Sequence, residues 1–165
     1  MKKFDKKSQI KILKIILILI WMIIVFKFSA QKGEESGNTS RSFTVTIIQM
    51  ITGKSVIENN PLLEMIETII RKLAHYTMYT IGGFLIMNYA YSTDKNMKQK
   101  ILYSITAGGI SAITEELHQF FVPERRARIF DVGIDTLGVI TGVLIYIILR
   151  KVIEIVINKY NTKVV

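Results

Sequence analysis

Cysteine is absent from the sequence, and only two prolines and two histidines occur among its 165 residues. Without cysteine the chain can form no disulfide and can use no thiolate as a nucleophile or metal ligand. The metalloprotease pattern H-E-x-x-H is also missing. Neither an internal repeat nor a low-complexity tract interrupts the chain. Its length is that of a single domain, spanning residues 1–165.

Hydrophobic residues make up half of the chain, yet the formal net charge is +9. This combination is typical of a membrane protein whose Lys/Arg-rich flanks lie in the cytoplasm. A nucleic-acid-binding domain would need a basic face on a soluble fold, whereas the basic residues here lie between hydrophobic runs. We therefore expect the lipid bilayer as a partner and no nucleic acid.

Four hydrophobic segments cover about residues 10–28, 73–91, 101–121 and 132–149. Each approaches the roughly 20 apolar residues that a helix needs to cross a bilayer. The first is too long for the apolar region of a signal peptide and is followed by a poor cleavage site. The sequence therefore predicts an all-α, polytopic membrane protein with four transmembrane helices.

The distribution of charge predicts how these segments are oriented. Lysine and arginine are in excess before the first segment, in the 92–100 loop and after the fourth segment, whereas the 29–72 loop is balanced. Because positive charge accumulates on the cytoplasmic side, we expect both termini and the 92–100 loop in the cytoplasm. The 29–72 and 122–131 loops then face outward.

The long outer loop itself contains helical patterns. Apolar residues at helical spacing predict a short amphipathic helix between residues 40 and 51. Asn59-Asn60-Pro61 is a helix stop followed by a restart, because proline is favoured in the first turn. The new helix would run into the second segment, and Glu67 could pair with Arg71 one turn later.

Small residues indicate where the helices contact one another, because they let helix backbones approach closely. The predicted contact points are Gly108, Gly109 and Ala112 in the third segment, and Gly138 and Gly142 in the fourth.

The predicted topology brings polar residues of all four segments to the outer end. A charge at the centre of a membrane helix costs at least roughly 2.5 kcal/mol, so such residues face the bundle interior or a water-filled cavity. We therefore predict an outward-facing polar pocket. Its residues are Ser29 and Gln31 after the first segment, Arg71, Lys72, His75 and Tyr79 in the second, Glu115, Glu116, His118, Gln119 and Arg125 in and after the third, and Asp131 and Asp135 in the fourth.

Helical spacing predicts which of these side chains meet. His75 lies one turn from Arg71 and from Tyr79, so the three share a face. Glu115 and Glu116 point about 100° apart, and we expect Glu116 to share the inward face with Gln119.

The simpler alternatives stay open at this point. Asp131 could be only an N-cap, and Arg125, Arg126 and Arg128 could form a solvated loop or contact headgroups. Ser29 and Gln31 could mark an ordinary segment end.

Four ordered motifs resemble the VanZ-like family of bacterial membrane proteins, over about residues 15–149. They are FSAQKGEESGNTS (28–40), RKLAHYTMY (71–79), EELHQFFVPER (115–125) and DVGIDTLGVITG (131–142). The departures are small: Ala30 replaces a second serine, and Glu124 occupies a position that is often glycine. The resemblance implies a multi-pass protein of the bacterial plasma membrane with a role in the cell envelope. It also implies a link to low-level resistance to the glycopeptide teicoplanin, but it implies no reaction.

Three hypotheses follow for the pocket. It could be an enzyme site acting on a lipid-linked or cell-wall substrate, a non-catalytic binding site for an anionic lipid or cell-wall precursor, or a purely structural cluster.

For an enzyme, Glu115 or Glu116 with His118 would supply the acid and base, and His75 with Asp135 a second proton carrier. Arg71, Lys72 and Arg125 would hold the anion, since charged hydrogen bonds to phosphate or carboxylate are strong. The sequence identifies no cofactor. A metal is conceivable, because His75, His118, Glu116, Asp131 and Asp135 are all of ligand type. No pair of them has a diagnostic spacing, so we predict no metal site.

Overall fold

The computed structural model describes residues 5–31, 33–53, 61–125 and 128–161, without the side chains of residues 33–36 and 52. This part of the chain is all α, as predicted. Its five helices are α1 (Lys6–Ser29), α2 (Gly33–Thr52), α3 (Pro61–Ala90), α4 (Met97–Phe120) and α5 (Ile129–Asn161).

The helices confirm most of the predicted segments and extend several of them. The helix predicted within residues 40–51 is the second half of α2, which has 20 residues. Helix α3 begins at Pro61 and runs unbroken through the second segment to Ala90. Helix α5 continues to Asn161, well beyond the predicted limit at residue 149. The Asn59-Asn60 stop signal and Arg126 lie outside the described residues.

Two of the five described helices, α1 and α5, are long and apolar enough to cross a membrane, with mean hydropathies of 2.5 and 2.2 over their most apolar stretches. Helices α3 and α4 do not meet the same criterion, because polar and small residues lower their hydropathy. Crossing by all four helices therefore stays a prediction.

Helix α3 is the centre of the fold. It packs most extensively against α5 and also contacts α1, α2 and α4. At the α3–α5 crossing the two backbones touch, because a Cβ atom at Gly142 would overlap the Thr80 carbonyl and one at Gly83 would overlap the backbone of Val139.

Most of the glycine contacts predicted from the sequence are confirmed. Gly138 lies against Tyr76, and Gly108 lies against the Val139 side chain. Gly109 differs, since a Cβ there would make only an ordinary contact with Thr136.

The apolar core lies between α1, α3, α4 and α5 and includes Trp21, Tyr79, Met87 and Val139. Trp21 fastens α1 to α3: its Nε1 donates a hydrogen bond to the Met78 carbonyl (2.8 Å), and its ring meets the Tyr79 ring edge-on at 5.6 Å. A soluble domain keeps most large apolar side chains inside. Here many of them are exposed along the outer faces of α1, α3, α4 and α5.

The two ends of the helix bundle differ chemically. At the end where α3 finishes and α4 begins, Lys14 Nζ donates hydrogen bonds to the Asn88 carbonyl (2.9 Å) and to Ser92 Oγ (2.6 Å). Lys100 and Arg150 both lie over the Tyr91 ring. This end is basic, whereas buried carboxylates collect at the other end.

Candidate functional site

The site lies at the end of the bundle where α4 finishes and α5 begins. The end of α1, the first half of α3, the last turns of α4 and the first turns of α5 meet there. One helical turn separates His75 from Tyr79 on α3 and Glu115 from Gln119 on α4, so each pair lies on one face. Glu115, Gln119 and Asp135 are buried at this end, with exposures of 0%, 6% and 1%.

Glu115 is the most deeply enclosed charged residue described. Its Oε2 accepts a hydrogen bond from the Tyr79 hydroxyl (3.0 Å), and its Oε1 accepts one from Gln119 Nε2 (2.5 Å). Burying a carboxylate is costly unless it is hydrogen-bonded. These two donors meet that requirement and tie α3 to α4.

A cluster of three titratable groups adjoins Glu115. His75 Nδ1 lies 3.8 Å from Glu115 Oε2 and 3.8 Å from Asp135 Oδ1. Both distances exceed that of a hydrogen bond. Asp135 Oδ1 is buried and has no hydrogen-bond partner in the described part of the chain. We call His75, Glu115 and Asp135, from α3, α4 and α5, the buried triad after its two buried carboxylates; the side chain of His75 is 30% exposed.

Two further contacts hold the start of α5 over the site. Glu116 accepts a hydrogen bond from the backbone N–H of Arg128, and Lys72 Nζ lies 2.7 Å from Asp131 Oδ1. Asp131 falls in the first turn of α5, which begins at Ile129. It therefore does not occupy the N-cap position, and its carboxylate pairs with Lys72.

Arg125 joins the loop after α4 to the end of α1. Its Nε donates a hydrogen bond to the Gln31 carbonyl (3.0 Å), and its Nη2 donates one to the Phe28 carbonyl (3.2 Å). Partial burial and the nearby positive charge of Arg71 lower the pKa of Arg125, although an arginine stays charged.

Arg71 lacks the partner that its spacing predicts. Glu67 lies 3.8 Å from Arg41 of α2 and forms no ion pair with Arg71. Arg71 Nε is buried without a hydrogen-bond partner among the residues that the structure describes. Within the described part of the chain, no carboxylate forms an ion pair with Arg71 or with Arg125.

Two cavities meet at these residues. A polar cavity of about 220 Å³ lies between α3, α4 and α5, and an apolar groove of about 690 Å³ runs along α1, α2 and α3. Arg71, His75 and Arg125 line both of them. The other residues of the polar cavity are Thr68, Lys72, Glu116, Gln119, Glu124, Arg128, Asp131, Ile134 and Asp135.

The structure gathers most of the residues predicted for the pocket. Glu115 lies against His75, and Tyr79 and Gln31 line the apolar groove. Ser29 is buried but lines neither cavity. His118 is not brought to the carboxylates: its ring lies 5.8 Å from that of Phe26, and His75 takes its predicted place beside Glu115.

Four residues of the polar cavity were not predicted, namely Thr68, Glu124, Arg128 and Ile134. Glu124 has a φ of 64°, in the left-handed region that favours glycine. This backbone shape explains why a glycine would suit that position. Nothing in the spacing of the sequence places Arg128 over Glu116, because a non-helical turn separates them.

Replacement of Tyr79 by phenylalanine tests the Glu115 contact. Tyr79→Phe removes one of the two donors to a buried carboxylate, so we expect a loss of about 1–3 kcal/mol in the free energy of unfolding. The measurement is thermal or denaturant unfolding of the purified protein. Tyr103→Phe is the matched control, since Tyr103 is 44% exposed on α4. Equal stability of the two variants would contradict the proposed importance of this hydrogen bond.

Comparison with known proteins identifies the family of the chain. The sequence model of the VanZ/LLP1 family matches residues 14–150, a range that contains every residue named at the site. No curated protein and no solved structure matches the chain. Because the match covers most of its length, the chain belongs to the VanZ/LLP1 family.

Proposed function

We propose that the chain is an integral protein of the bacterial plasma membrane that binds the anionic headgroup of a lipid-linked envelope molecule in an outward-facing pocket. Helices α1, α3, α4 and α5 each cross the membrane, and both termini lie in the cytoplasm. The observation that carries the proposal is the position of two guanidinium groups, Arg71 and Arg125, where the polar cavity meets the apolar groove. Neither forms an ion pair with a carboxylate in the part of the chain that the structure describes.

The distribution of side chains supports insertion of all four helices. Large apolar residues such as Ile23, Leu102, Ile113 and Ile148 are 57–67% exposed on the outer faces of the bundle. Glu115, Gln119 and Asp135 are buried inside it. An apolar surface of this extent is unfavourable in water. Contact with lipid along the bundle would remove it from water.

The distribution of basic residues supports the proposed orientation of the protein in the membrane. The basic end of the bundle, with Lys14, Lys100 and Arg150, matches a cytoplasmic face under the positive-inside rule. The buried triad and both cavities then lie towards the cell exterior.

The polar cavity has the chemistry of an anion site. Lys72, another base of the cavity, pairs with Asp131, and the carboxylate of Glu116 accepts a hydrogen bond from the Arg128 backbone N–H. Arg71 has a buried Nε for which the described ranges of the chain contain no acceptor. A phosphate or carboxylate would supply acceptors for this group, and guanidinium groups bind such anions in a bidentate manner.

The apolar groove supports a lipid-linked ligand over a free anion. Its lining includes Phe43, Ile47, Leu73 and Met78, side chains that suit a hydrocarbon chain. Because Arg71, His75 and Arg125 belong to both cavities, a headgroup on the arginines would place its attached chain in the groove.

Catalysis on the bound headgroup is a second candidate, favoured by the position of His75. This imidazole lines both cavities and lies 3.8 Å from two carboxylates, an arrangement suited to a general base. Mass spectrometry of envelope lipids from cells with and without the protein separates the candidates. An altered lipid species favours catalysis, and an unchanged profile favours binding alone. A contribution to teicoplanin resistance would follow from either.

Binding of hexadecyl phosphate in nonionic detergent tests the pocket. Arg71→Gln removes a charge-assisted hydrogen bond of about 1.5–3 kcal/mol, so we expect binding at least about tenfold weaker. Isothermal titration calorimetry on the purified protein measures the effect. Arg150→Gln is the control, since Arg150 pairs with Glu154 at the opposite end.

A second arm separates lipid-linked phosphate from free phosphate. Ala74→Phe fills the groove that Ala74 lines, so it should weaken binding of hexadecyl phosphate and leave binding of inorganic phosphate unchanged. Wild-type affinity for hexadecyl phosphate in Arg71→Gln would contradict the anion site. Preserved affinity in Ala74→Phe would contradict the lipid chain.

Cysteine labelling tests the orientation, because the chain has no cysteine of its own. We expect a membrane-impermeant maleimide to label Gln49→Cys on α2 in intact cells and Lys95→Cys only after lysis, since the proposed topology places residue 49 outside and residue 95 inside. Both positions are exposed. The opposite labelling pattern would show that the pocket faces the cytoplasm.

A further inference from the structure

We propose that the buried triad, His75, Glu115 and Asp135, is a binding site for a divalent transition-metal ion at the base of the polar cavity. This inference goes beyond headgroup binding and does not require it.

The geometry of the triad is that of three convergent ligands. One atom from each residue, an imidazole nitrogen or a carboxylate oxygen, lies within 4.8 Å of the other two. The nitrogen–oxygen separations of 3.8 Å are close to the roughly 3.4 Å between ligands that tetrahedral zinc bond lengths imply. The two nitrogen–oxygen separations would each need to shorten by roughly 0.4 Å to match this value. The ligands come from α3, α4 and α5, so the packing of three helices fixes their positions.

The charge balance also indicates a cation. Glu115 and Asp135 are buried carboxylates. The two residues that donate hydrogen bonds to Glu115 are Tyr79 and Gln119, and both are uncharged. When both carboxylates are ionised, a protonated His75 supplies one positive charge against two negative ones. Asp135 Oδ1 has no hydrogen-bond partner within the described ranges, which is costly for a buried polar atom. A divalent ion would balance the negative charge of the carboxylates and would supply a partner for Asp135 Oδ1.

The surroundings of Glu115 are those of a metal-ligating carboxylate. Ligands of this kind are oriented by hydrogen bonds from neighbouring side chains. Tyr79 and Gln119 each donate to one oxygen of Glu115, which fixes the plane of the carboxylate and turns Oε2 towards His75.

The ligand set selects the type of metal. One imidazole with two carboxylates and no thiolate suits Zn²⁺ or Mn²⁺, whereas Mg²⁺ and Ca²⁺ prefer oxygen ligands alone. Three protein ligands leave a further coordination position free, and His75 and Asp135 border the polar cavity on that side. A metal bound there would polarise an oxygen of a ligand held by Arg71 and Arg125.

Metal binding by the full chain, purified in detergent and stripped with EDTA, tests the proposal. We expect titration with Zn²⁺ to give one ion per chain by calorimetry and by elemental analysis. Asp135→Asn and His75→Gln should each weaken the affinity at least tenfold. Asp131→Asn is the matched control: it is the same substitution one turn earlier on the same helix, but its carboxylate pairs with Lys72, so one Zn²⁺ per chain should remain.

Measurements on the wild-type protein keep the test independent of variant folding. Zn²⁺ should raise the melting temperature of the wild-type protein, and the same concentration of Mg²⁺ should not. Failure of the wild-type protein to bind stoichiometric Zn²⁺ would overturn the proposal, as would equal loss in Asp131→Asn and Asp135→Asn. Arg71→Gln should keep its Zn²⁺, which separates failure of the metal site from failure of the headgroup site.

Discussion

The buried carboxylate of Glu115 is the constraint on which the rest of the site depends. It lies at the meeting point of α3, α4 and α5, and its position requires donors from two of these helices. Tyr79, which supplies one donor, also packs edge-on against Trp21 and so connects the carboxylate to α1. The close backbone contact of α3 with α5 at Gly142 brings Asp135 to the same level. One buried charge thereby links four helices.

The polar cavity next to Glu115 contains groups that folding alone would be expected to pair. Asp135 Oδ1 and Arg71 Nε are both buried without hydrogen-bond partners among the described residues, although one belongs to an acid and the other to a base and both residues line the same cavity. Unpaired buried groups lower stability, and proteins tolerate such costs chiefly at functional sites. A cation at the triad and an anion at the arginines would satisfy both groups at once, so the two proposals concern adjacent halves of one site.

The sequence predicts the helices and the membership of the site better than the pairing within it. Pro61, the apolar periodicity and the small residues at 138 and 142 are local signals, and the structure bears them out. Pairing depends on how each helix is rotated, which tertiary packing decides. Thus His118 packs against Phe26 and does not reach the carboxylates. Glu67 lies against Arg41 of α2, and helical spacing within one helix cannot predict a contact between two helices. The spacing of ligand types predicts no metal site, because the triad comes from three separate helices.

The central claim is that the polar residues at this end serve a ligand, with structural linkage as a secondary role. The most direct measurement is the unfolding free energy of Arg71→Met in the absence of any added lipid or metal. Methionine keeps an unbranched apolar side chain and removes a partly buried guanidinium whose Nε is buried without an acceptor among the described residues. The account predicts stability equal to or greater than that of the wild-type protein. A loss of more than about 1 kcal/mol, the size of a typical structural contribution, would contradict it.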